Sequence, residues 1–174
     1  MIEYRKEGSI FYSGAQVLVS PVNAVGVMGK GLALEFKKRY PHVFRVYKNV
    51  CDAGELKAGW MFVYTGEYEG ASVKIIHAAT KQHWRDSSKA EDINNILISI
   101  RQFMNGNPNL TSIAIPALGC GLGGLNWTDV KPMIERILGE LPIDIFVYEP
   151  KARGGVWPLN YPKNSELTAQ SALS

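Results

Sequence analysis

Two glycine-rich turns are the first candidates for chemistry in this chain. One lies within residues 22–31 (VNAVGVMGKG) and the other within residues 116–124 (PALGCGLGG). Each follows an apolar run typical of a buried strand and precedes a helix-like run. Glycine has no Cβ, so backbone N–H groups can converge on an anion, and the following helix adds the positive end of its dipole. The two turns therefore predict a site that holds a diphosphate from both sides.

A polar and aromatic segment, residues 80–86 (TKQHWRD), follows the apolar run at residues 73–79. In an open parallel sheet, ligands bind at the carboxyl ends of the strands, and all three segments lie there by sequence order. Such a cluster at a strand end indicates binding or catalysis more than packing. A single glycine-rich turn can serve simply as a tight connection between two elements. The placement of all three segments at one sheet edge is therefore stronger evidence for a binding site than either turn alone.

Common nucleotide-binding and metal-binding patterns do not fit this sequence. Leu32 follows Gly31 where the pattern GxxxxGK followed by Ser or Thr requires Lys, which argues against a Walker-type ATPase. Gly26, Gly29 and Gly31 of the first turn also miss the GxGxxG order, and no acidic residue ends a strand about 20 positions later, so a redox dinucleotide site loses support. Two cysteines, Cys51 and Cys120, and three dispersed histidines predict neither a disulfide scaffold nor a metal site. No His and Asn pairing activates Cys120, so we expect no cysteine nucleophile, and we expect His42 and His77 to be structural.

The segments that must position these residues alternate between strand-like and helix-like patterns. Strands are predicted over residues 9–11, 17–22, 60–65, 73–79, 112–116 and 143–148, and helices over residues 31–40, 43–53 and 129–139. A further helix begins at an apparent capping box, Ser88 to Glu91, and carries apolar residues on one face through Met104. Thr128 is the expected N-cap of the last helix, because this choice leaves Pro132 in the first turn. The alternation predicts an α/β protein, a three-layer α/β/α sandwich with a mixed, largely parallel sheet.

Length and composition indicate one domain, residues 1–150, followed by a C-terminal extension, residues 151–174. The apolar piece at residues 156–159 is expected to dock on the domain or on a partner, and the polar remainder to be loosely held. The net charge of +3 permits a nucleic-acid partner without demanding one. No stretch approaches the roughly 18 apolar residues of a membrane span. We therefore expect a soluble, cytoplasmic monomer without a membrane partner.

Three segments together resemble the macrodomain family: residues 22–33 (VNAVGVMGKGLA), 80–85 (TKQHWR) and 115–127 (IPALGCGLGGLNW). More narrowly, they resemble the branch that contains the terminal ADP-ribose glycohydrolases and the DarG antitoxins of the DarT–DarG toxin systems. The resemblance covers about residues 1–150, in order and at the expected spacings. It implies that the ligand is ADP-ribose, which contains a diphosphate, and it implies no cofactor.

The resemblance also implies a set of ADP-ribose contacts. Asn23 would hydrogen-bond the distal ribose, and adenine would lie near the start of the chain, where Ser9 replaces the Asp of many macrodomains. Tyr148 would flank the adenine, or else be a core tyrosine with a solvated hydroxyl. The implied ADP-ribose-binding residues are Ser9, Ile10, Asn23, Val27, Met28, Gly29, Lys30, Gly31, Leu32, Thr80, Gly119, Cys120, Gly121, Leu122, Gly123 and Tyr148.

Lys81 occupies the position of the lysine that performs the chemistry in this branch. A lysine amine becomes a nucleophile when neighbouring cations and partial burial favour its neutral form, and Lys30, His83 and Arg85 are candidate neighbours. We expect Lys81 to attack C1 of the distal ribose, or its opened aldehyde, and to displace the modified group, after which water releases ADP-ribose. The alternative is that Lys81 is a phosphate clamp that acts only through its charge.

Gly123 indicates which substrate the resemblance implies. Relatives that act on protein carboxylates carry an Asp at this position, whereas the DarG-like members carry Gly, and their substrate is an ADP-ribosylated thymine base of single-stranded DNA. His83, Trp84 and Arg85 suit such a substrate, because an aromatic ring can stack on a base and an arginine can contact a phosphate. Trp84 could instead be a lid packed on the domain.

The leading hypothesis is thus a glycohydrolase that removes ADP-ribose from DNA and acts as the antidote to a modifying toxin. Two alternatives remain: a module that binds ADP-ribose without turnover, and a hydrolase of small or protein-linked ADP-ribose esters, such as ADP-ribose 1″-phosphate or O-acetyl-ADP-ribose. A cognate ADP-ribosyltransferase toxin is a further expected partner. The 24 residues beyond Pro150 are too few for the second, toxin-contacting domain of DarG antitoxins. We therefore do not expect direct neutralisation by binding, unless the chain is a fragment of a longer protein.

Overall fold

A six-stranded mixed sheet forms the middle layer of the computed structural model, which describes residues 1–151. Its strands are β1 (Ile2–Arg5), β2 (Val17–Asn23), β3 (Met61–Tyr68), β4 (Ala71–Lys81), β5 (Ser112–Pro116) and β6 (Asp144–Tyr148). They lie in the order β1-β6-β5-β2-β4-β3. The first five strands of that order run parallel, and β3 pairs antiparallel with β4. The carboxyl ends of five strands therefore meet at one edge of the sheet.

Four helices cover the two faces of the sheet: α1 (Gly31–Arg39), α2 (Pro41–Asp52), α3 (Ala90–Asn105) and α4 (Trp127–Leu138). Alternate residues of the buried strands point to opposite faces. Val17 and Val19 pack in one core with α3 and α4, whereas Leu18 packs on the other face with α1 and α2. This arrangement confirms the predicted three-layer α/β/α sandwich with a mixed, largely parallel sheet.

The predicted strand over residues 9–11 is wrong. Residues Ile10–Tyr12 form a 3-10 turn, because the Ser9 hydroxyl accepts a hydrogen bond from the Phe11 N–H at 3.3 Å and caps the turn. The actual first strand, β1, was not predicted. It is only four residues long, and its apolar alternation is limited to Ile2 and Tyr4.

Two predicted helix caps are also wrong. Lys89, rather than Ser88, is the N-cap of α3, and no side chain caps that helix. The backbone of Ser88 is instead bound to the second glycine turn, where its N–H donates to the Gly123 carbonyl at 2.9 Å. Helix α4 begins at Trp127 with Asn126 as its N-cap, so Pro132 lies inside the helix and not in its first turn. The Trp127 ring packs edge-on against Tyr4, with ring centroids 6.4 Å apart, so tertiary packing extends the helix beyond its local capping signal.

Within residues 1–151 no helix is both long enough and apolar enough to cross a membrane. The expected docking piece at residues 156–159 lies outside the described residues, as does the rest of the extension beyond Lys151.

His77 lies in the sheet as a buried structural residue, as the sequence indicates. It is 1% exposed and stacks on the Tyr47 ring, with centroids 5.4 Å apart. Burial lowers the pKa of His77 from its usual 6.5 to about 4. The folded protein therefore holds this imidazole neutral at a pH where an unfolded chain would already protonate it.

Acid should destabilise the protein through His77. Because the folded pKa lies below the unfolded value, stability is full above pH 6.5 and falls as the pH drops from 6.5 toward 4, by about 3 kcal/mol in total. Urea unfolding of the wild type and of His77→Phe at several pH values in this range checks the prediction. The free energy of unfolding of the variant should fall less steeply with decreasing pH than that of the wild type. His42→Gln, at an exposed histidine, is the matched control and should follow the wild type. An unchanged slope in His77→Phe would show that other groups cause the acid sensitivity.

Candidate active site

A cleft of about 780 Å³ runs along the carboxyl ends of the parallel strands. This volume is within the usual range of small-molecule sites. Its floor and walls come from the ends of β1, β2, β4, β5 and β6 and from both glycine turns. Because β1, β6, β5, β2 and β4 are successive neighbours, the cleft crosses four inter-strand spacings, about 19 Å. An extended ligand can therefore lie across the sheet edge.

The first glycine turn is held in shape by Asn23, the last residue of β2. The Asn23 Oδ1 accepts hydrogen bonds from the N–H groups of Val25, at 3.1 Å, and Val27, at 3.3 Å, and its Nδ2 donates to the Val27 carbonyl at 2.7 Å. The Tyr47 hydroxyl, on α2, donates to the Asn23 carbonyl at 2.7 Å. Gly26 has a φ of +81° and lies against Lys48 of α2, so a side chain there would be strained and crowded. Asn23 therefore shapes the turn, and its remaining N–H can face a ligand in the cleft.

The N-terminus of α1 opens into the cleft. Gly31, Leu32 and Ala33 form the first turn of this helix and line the cleft. The N-cap, Lys30, makes no side-chain capping bond, and the first turn contains no acidic residue. The first N–H groups of a helix have no intrahelical partner and carry the positive end of the helix dipole. This end of α1 is therefore suited to a phosphate, as the sequence predicts.

The second glycine turn reaches toward the first from the opposite side of the cleft. Gly119 has a φ of +76°, and its carbonyl accepts from the Leu125 N–H at 2.9 Å, which closes the turn. Leu122 is exposed at the tip of the turn, and its Cδ1 lies 3.8 Å from the place of a Cβ on Gly31. The two turns thus approach each other across the cleft, which agrees with a ligand held from both sides.

Gly123 has no room for a side chain. A Cβ at this position would overlap the Ser88 Oγ and would come within 2.6 Å of the Gly119 carbonyl oxygen. Ser88 is buried, and within the described part of the chain its hydroxyl has no hydrogen-bond partner. The second turn therefore packs on the segment that precedes α3 only because residue 123 is glycine.

A β-bulge positions Lys81 at the end of β4. Val22 of β2 pairs with Ala79, but the next residue, Asn23, pairs with Lys81, so Thr80 is the extra residue of the bulge. The Thr80 hydroxyl donates to the Val22 carbonyl at 3.4 Å and ties the bulge to β2. A bulge changes the direction of the side chains that follow it. Lys81 is half-buried and lines the cleft beside the first glycine turn.

Cys120 lies in the second turn but is not suited to nucleophilic catalysis. Burial, with a smaller contribution from Asp129, raises the pKa of the Cys120 thiol to about 11. The thiol is therefore protonated at neutral pH, whereas a nucleophilic cysteine needs its thiolate. Among residues 1–151, no three His, Cys, Asp or Glu side chains lie close enough together to hold a metal ion.

The β1 and β6 end of the cleft is formed by an arginine and an aromatic residue. The Arg5 Nη1 donates to the Tyr148 hydroxyl at 3.0 Å, and the Arg5 guanidinium lies 4.0 Å from the centroid of Phe146. Arg5, Gly8, Ile10 and Tyr148 line this end of the cleft. An aromatic ring and a planar cation are suitable partners for a purine base.

Most of the predicted site residues line this single cleft: Ile10, Asn23, Val27, Gly29, Lys30, Gly31, Leu32, Thr80, Lys81, Trp84, Gly119, Cys120, Gly121, Leu122, Gly123 and Tyr148. Four predicted residues do not: Ser9, Met28, His83 and Arg85. Ser9 caps the 3-10 turn, and Met28 is buried in a cluster with Val22 and Tyr47, so neither side chain faces the cleft.

Trp84 lies at the cleft wall and is exposed, not packed as a lid on the domain. It is 46% exposed, and Arg85 lies over its ring, with the Cζ 4.6 Å from the ring centroid. The His83 ring lies beside it at 5.1 Å. The turn is fixed by Asp86, whose carboxylate accepts from the His83 N–H at 2.9 Å.

Sequence reasoning missed several cleft residues, of which the polar ones are Arg5, Lys6, Asn126, Glu149 and Lys151. Arg5 lies at the carboxyl end of β1, so it could be found only by recognising that strand. Asn126 is the N-cap of α4, two residues before the predicted N-cap Thr128, so it could be found only from the true start of that helix. In both cases the missing information was an element boundary and not a residue type.

This chain is similar in sequence to a protein-family model and to several curated proteins. A family model described as Macro domain matches residues 19–134. A protein named DNA ADP-ribosyl glycohydrolase from Mycobacterium tuberculosis is 42% identical over 152 residues, which are 86% of this chain and 42% of that protein. This chain spans less than half the length of the curated relatives of that name.

Solved structures also match. The macrodomain of Mycobacterium tuberculosis DarG has a TM-score of 0.81 and 40% identity, with 87% of this chain and 99% of that chain covered. The structure of Thermosipho africanus DarTG in complex with ADP-ribose has a TM-score of 0.78 and 36% identity, with 87% of this chain and 42% of that chain covered.

Proposed function

This chain belongs to the Macro domain family, and from that premise we propose that it is an ADP-ribosyl glycohydrolase that acts on DNA. The substrate is a thymine base of single-stranded DNA that carries ADP-ribose, and Lys81 is the catalytic residue. The single observation that carries this proposal is the bulge of β4, which puts a half-buried lysine into a cleft between two glycine turns. The name of the Mycobacterium tuberculosis relative supports the same reaction.

The order of the strands supports one orientation of ADP-ribose in the cleft. Adenine lies at the β1 and β6 end, against Tyr148 and Arg5. The diphosphate lies between the two glycine turns, where the N-terminus of α1 supplies N–H donors. The distal ribose then lies at β4, next to Lys81. The Thermosipho africanus structure that matches this fold contains ADP-ribose, which supports this assignment of the ligand.

The proposed reaction has two steps. The Nζ of Lys81, once deprotonated, attacks C1 of the distal ribose; the attacking nitrogen then gives up a proton, and the bond from this carbon to the ring nitrogen of thymine breaks. The electron pair of that bond stays on the base nitrogen, which takes up a proton. The lysine-bound ribose opens to an imine, water adds to the imine carbon, and the carbon–nitrogen bond breaks, which releases ADP-ribose and restores the amine. The protein thereby leaves the DNA base unmodified.

The crowding around Gly123 supports DNA rather than a protein ester as the substrate. The protein-acting relatives that the sequence resembles carry an Asp at this position. Here the Ser88 Oγ and the Gly119 carbonyl occupy the space that any side chain would need. Residue 123 therefore supplies no carboxylate that could activate the water that hydrolyses the lysine adduct.

We further propose that the chain acts in the cytoplasm as a monomer and opposes a DNA-modifying ADP-ribosyltransferase. One relative is named a DNA ADP-ribosyl transferase-DNA ADP-ribosyl glycohydrolase fusion protein, which supports the pairing of the two activities. The chain opposes the transferase by removing ADP-ribose from DNA, because this reaction needs only the residues of the cleft and no contact with the transferase.

The test compares three substrates: a single-stranded oligonucleotide with one ADP-ribosylated thymine, a peptide with ADP-ribose on a glutamate, and ADP-ribose 1″-phosphate. Free ADP-ribose is measured over time. The expected result is a kcat/KM on the oligonucleotide at least about 100-fold above that on either ester. Faster turnover of an ester would replace the proposal with an ester hydrolase. Tight binding of ADP-ribose without any turnover would replace it with a binding module.

A further inference from the structure

Trp60 forms a second exposed aromatic and cation pair outside the cleft. Its side chain is 52% exposed, and the Lys57 Nζ lies 5.2 Å from its ring centroid. The pair resembles that of Trp84 and Arg85 at the cleft wall. About half of the Trp60 surface is thus left open, beside a positive charge that is already held against the ring.

The backbone fixes Trp60 close to the catalytic end of the cleft. Because β3 runs antiparallel to β4, the residue that precedes β3 lies at the carboxyl end of β4. The Ala79 N–H donates to the Trp60 carbonyl at 3.0 Å, and the Ala79 carbonyl accepts from the Gly59 N–H at 2.9 Å. Trp60 is therefore the neighbour of a residue only two positions before Lys81.

Gln82 joins the Trp60 segment to the cleft. Its side-chain Oε1 accepts from the Ala58 N–H at 3.1 Å, and its backbone carbonyl accepts from the Ala24 N–H at 3.0 Å. One residue thus connects the turn that carries Lys57 and Trp60, the end of β4 and the first glycine turn.

The spacing of the two tryptophans suits a short single strand. Trp84 is five residues beyond Ala79, so these residues are at most about 18 Å apart. Trp84 lines the cleft, and Trp60 does not. A chain that leaves the cleft past Trp84 can therefore reach Trp60 within a few nucleotides.

We propose that Trp60 and Lys57 form a subsite for an unpaired nucleotide that flanks the modified thymidine in single-stranded DNA. The base of that nucleotide stacks on Trp60, and Lys57, with Arg85, contacts the backbone phosphates. Exposed rings that alternate with cations are the usual surface for single-stranded nucleic acid, because every base has a face to stack and every linkage a charge. This inference rests on the proposed function, since it assigns the path of the same substrate.

The local chemistry favours DNA over a protein partner at this subsite. Each exposed tryptophan here is paired with a cation. Two carboxylates lie near these pairs: that of Asp86 accepts from the His83 N–H, and that of Asp92 lies beside Gly59, with its Oδ1 2.9 Å from the place of a Cβ. Ile98 on α3 differs from these tryptophans because it is a single exposed aliphatic residue, of the kind found scattered over most protein surfaces.

Substrates of two lengths test the subsite. Trp60→Ala should lower kcat/KM on an ADP-ribosylated oligonucleotide of about ten nucleotides by about 5- to 100-fold, the effect of losing one stacked base. It should leave kcat/KM on ADP-ribosylated thymidine, which has no flanking nucleotide, within about twofold of the wild type. Trp60→Phe should keep most of the activity on the oligonucleotide, because it retains a ring. Ile98→Ala is the control and should change neither substrate.

Three results would overturn the subsite: an equal loss on both substrates, no loss on the oligonucleotide, or a full loss in Trp60→Phe. A second measurement separates this inference from the proposed function. Binding of a fluorescent, unmodified single-stranded oligonucleotide is compared between the wild type and Trp60→Ala. If the wild type hydrolyses neither substrate, the proposed function fails, but weaker binding by Trp60→Ala would still support the subsite and equal binding would refute it.

Discussion

Lys81→Ala should slow the removal of ADP-ribose from DNA by at least about a thousandfold, as expected for loss of a nucleophile. The variant should still bind free ADP-ribose. In the proposed site the backbone of two glycine turns and the N-terminus of α1 hold the diphosphate, and none of these groups is the side chain of residue 81. Single-turnover assays on a modified oligonucleotide and calorimetric titration with ADP-ribose measure the two effects separately.

Lys81→Arg distinguishes a nucleophile from a phosphate clamp. Arginine keeps the positive charge and the length, but its guanidinium stays protonated and cannot attack carbon. This variant should therefore be as slow as Lys81→Ala and should bind ADP-ribose about as tightly as the wild type. Near-normal turnover by either variant would show that Lys81 is not the catalytic residue.

Gly123→Ala should lower kcat/KM by about 10- to 100-fold, because a displacement of about 1 Å in a catalytic site has effects of this size. The added methyl group overlaps the Ser88 Oγ and comes within 2.6 Å of the Gly119 carbonyl oxygen, so the second turn must move. The same overlap should reduce the free energy of unfolding by about 1–3 kcal/mol. Steady-state kinetics and urea unfolding measure the two quantities.

Two further variants isolate the cause of the Gly123 effect. Gly121→Ala is the matched control for stability, since nothing lies within 4 Å of a Cβ at that position of the same turn. It should unfold within about 0.5 kcal/mol of the wild type. Ser88→Gly combined with Gly123→Ala removes one of the two overlaps and should recover part of the lost stability. Equal stabilities of Gly121→Ala and Gly123→Ala would contradict the packing described for the second turn.

The central part of this fold could be predicted because local and tertiary signals agree there. β2, β4 and β5 are mostly apolar and buried in their centres, and each is followed by a segment that carries chemistry. Since the carboxyl ends of parallel strands share one edge, the placement of the Lys81 segment at the same sheet edge as both glycine turns could be predicted. The structure brings 16 of the predicted site residues to one cleft, including all five of the second turn.

The features that sequence could not reveal depend on contacts between distant segments. Ser88 has the local pattern of a helix cap, but its burial against Gly123 outweighs that preference. Met28 lies within the first glycine turn, yet its side chain turns inward against Tyr47 of α2. The Thr80 bulge depends on the register between β2 and β4, which alternation within one strand does not encode.

The most direct test of this account is to trap the lysine adduct. Wild-type protein is mixed with a stoichiometric amount of ADP-ribosylated oligonucleotide, quenched with sodium borohydride within one turnover, and digested for mass spectrometry. We predict an ADP-ribosyl group reduced onto the peptide that contains Lys81, and no such adduct in Lys81→Arg. Release of unmodified DNA with no adduct at Lys81, or with the adduct on another residue such as Lys30, would contradict the central claim.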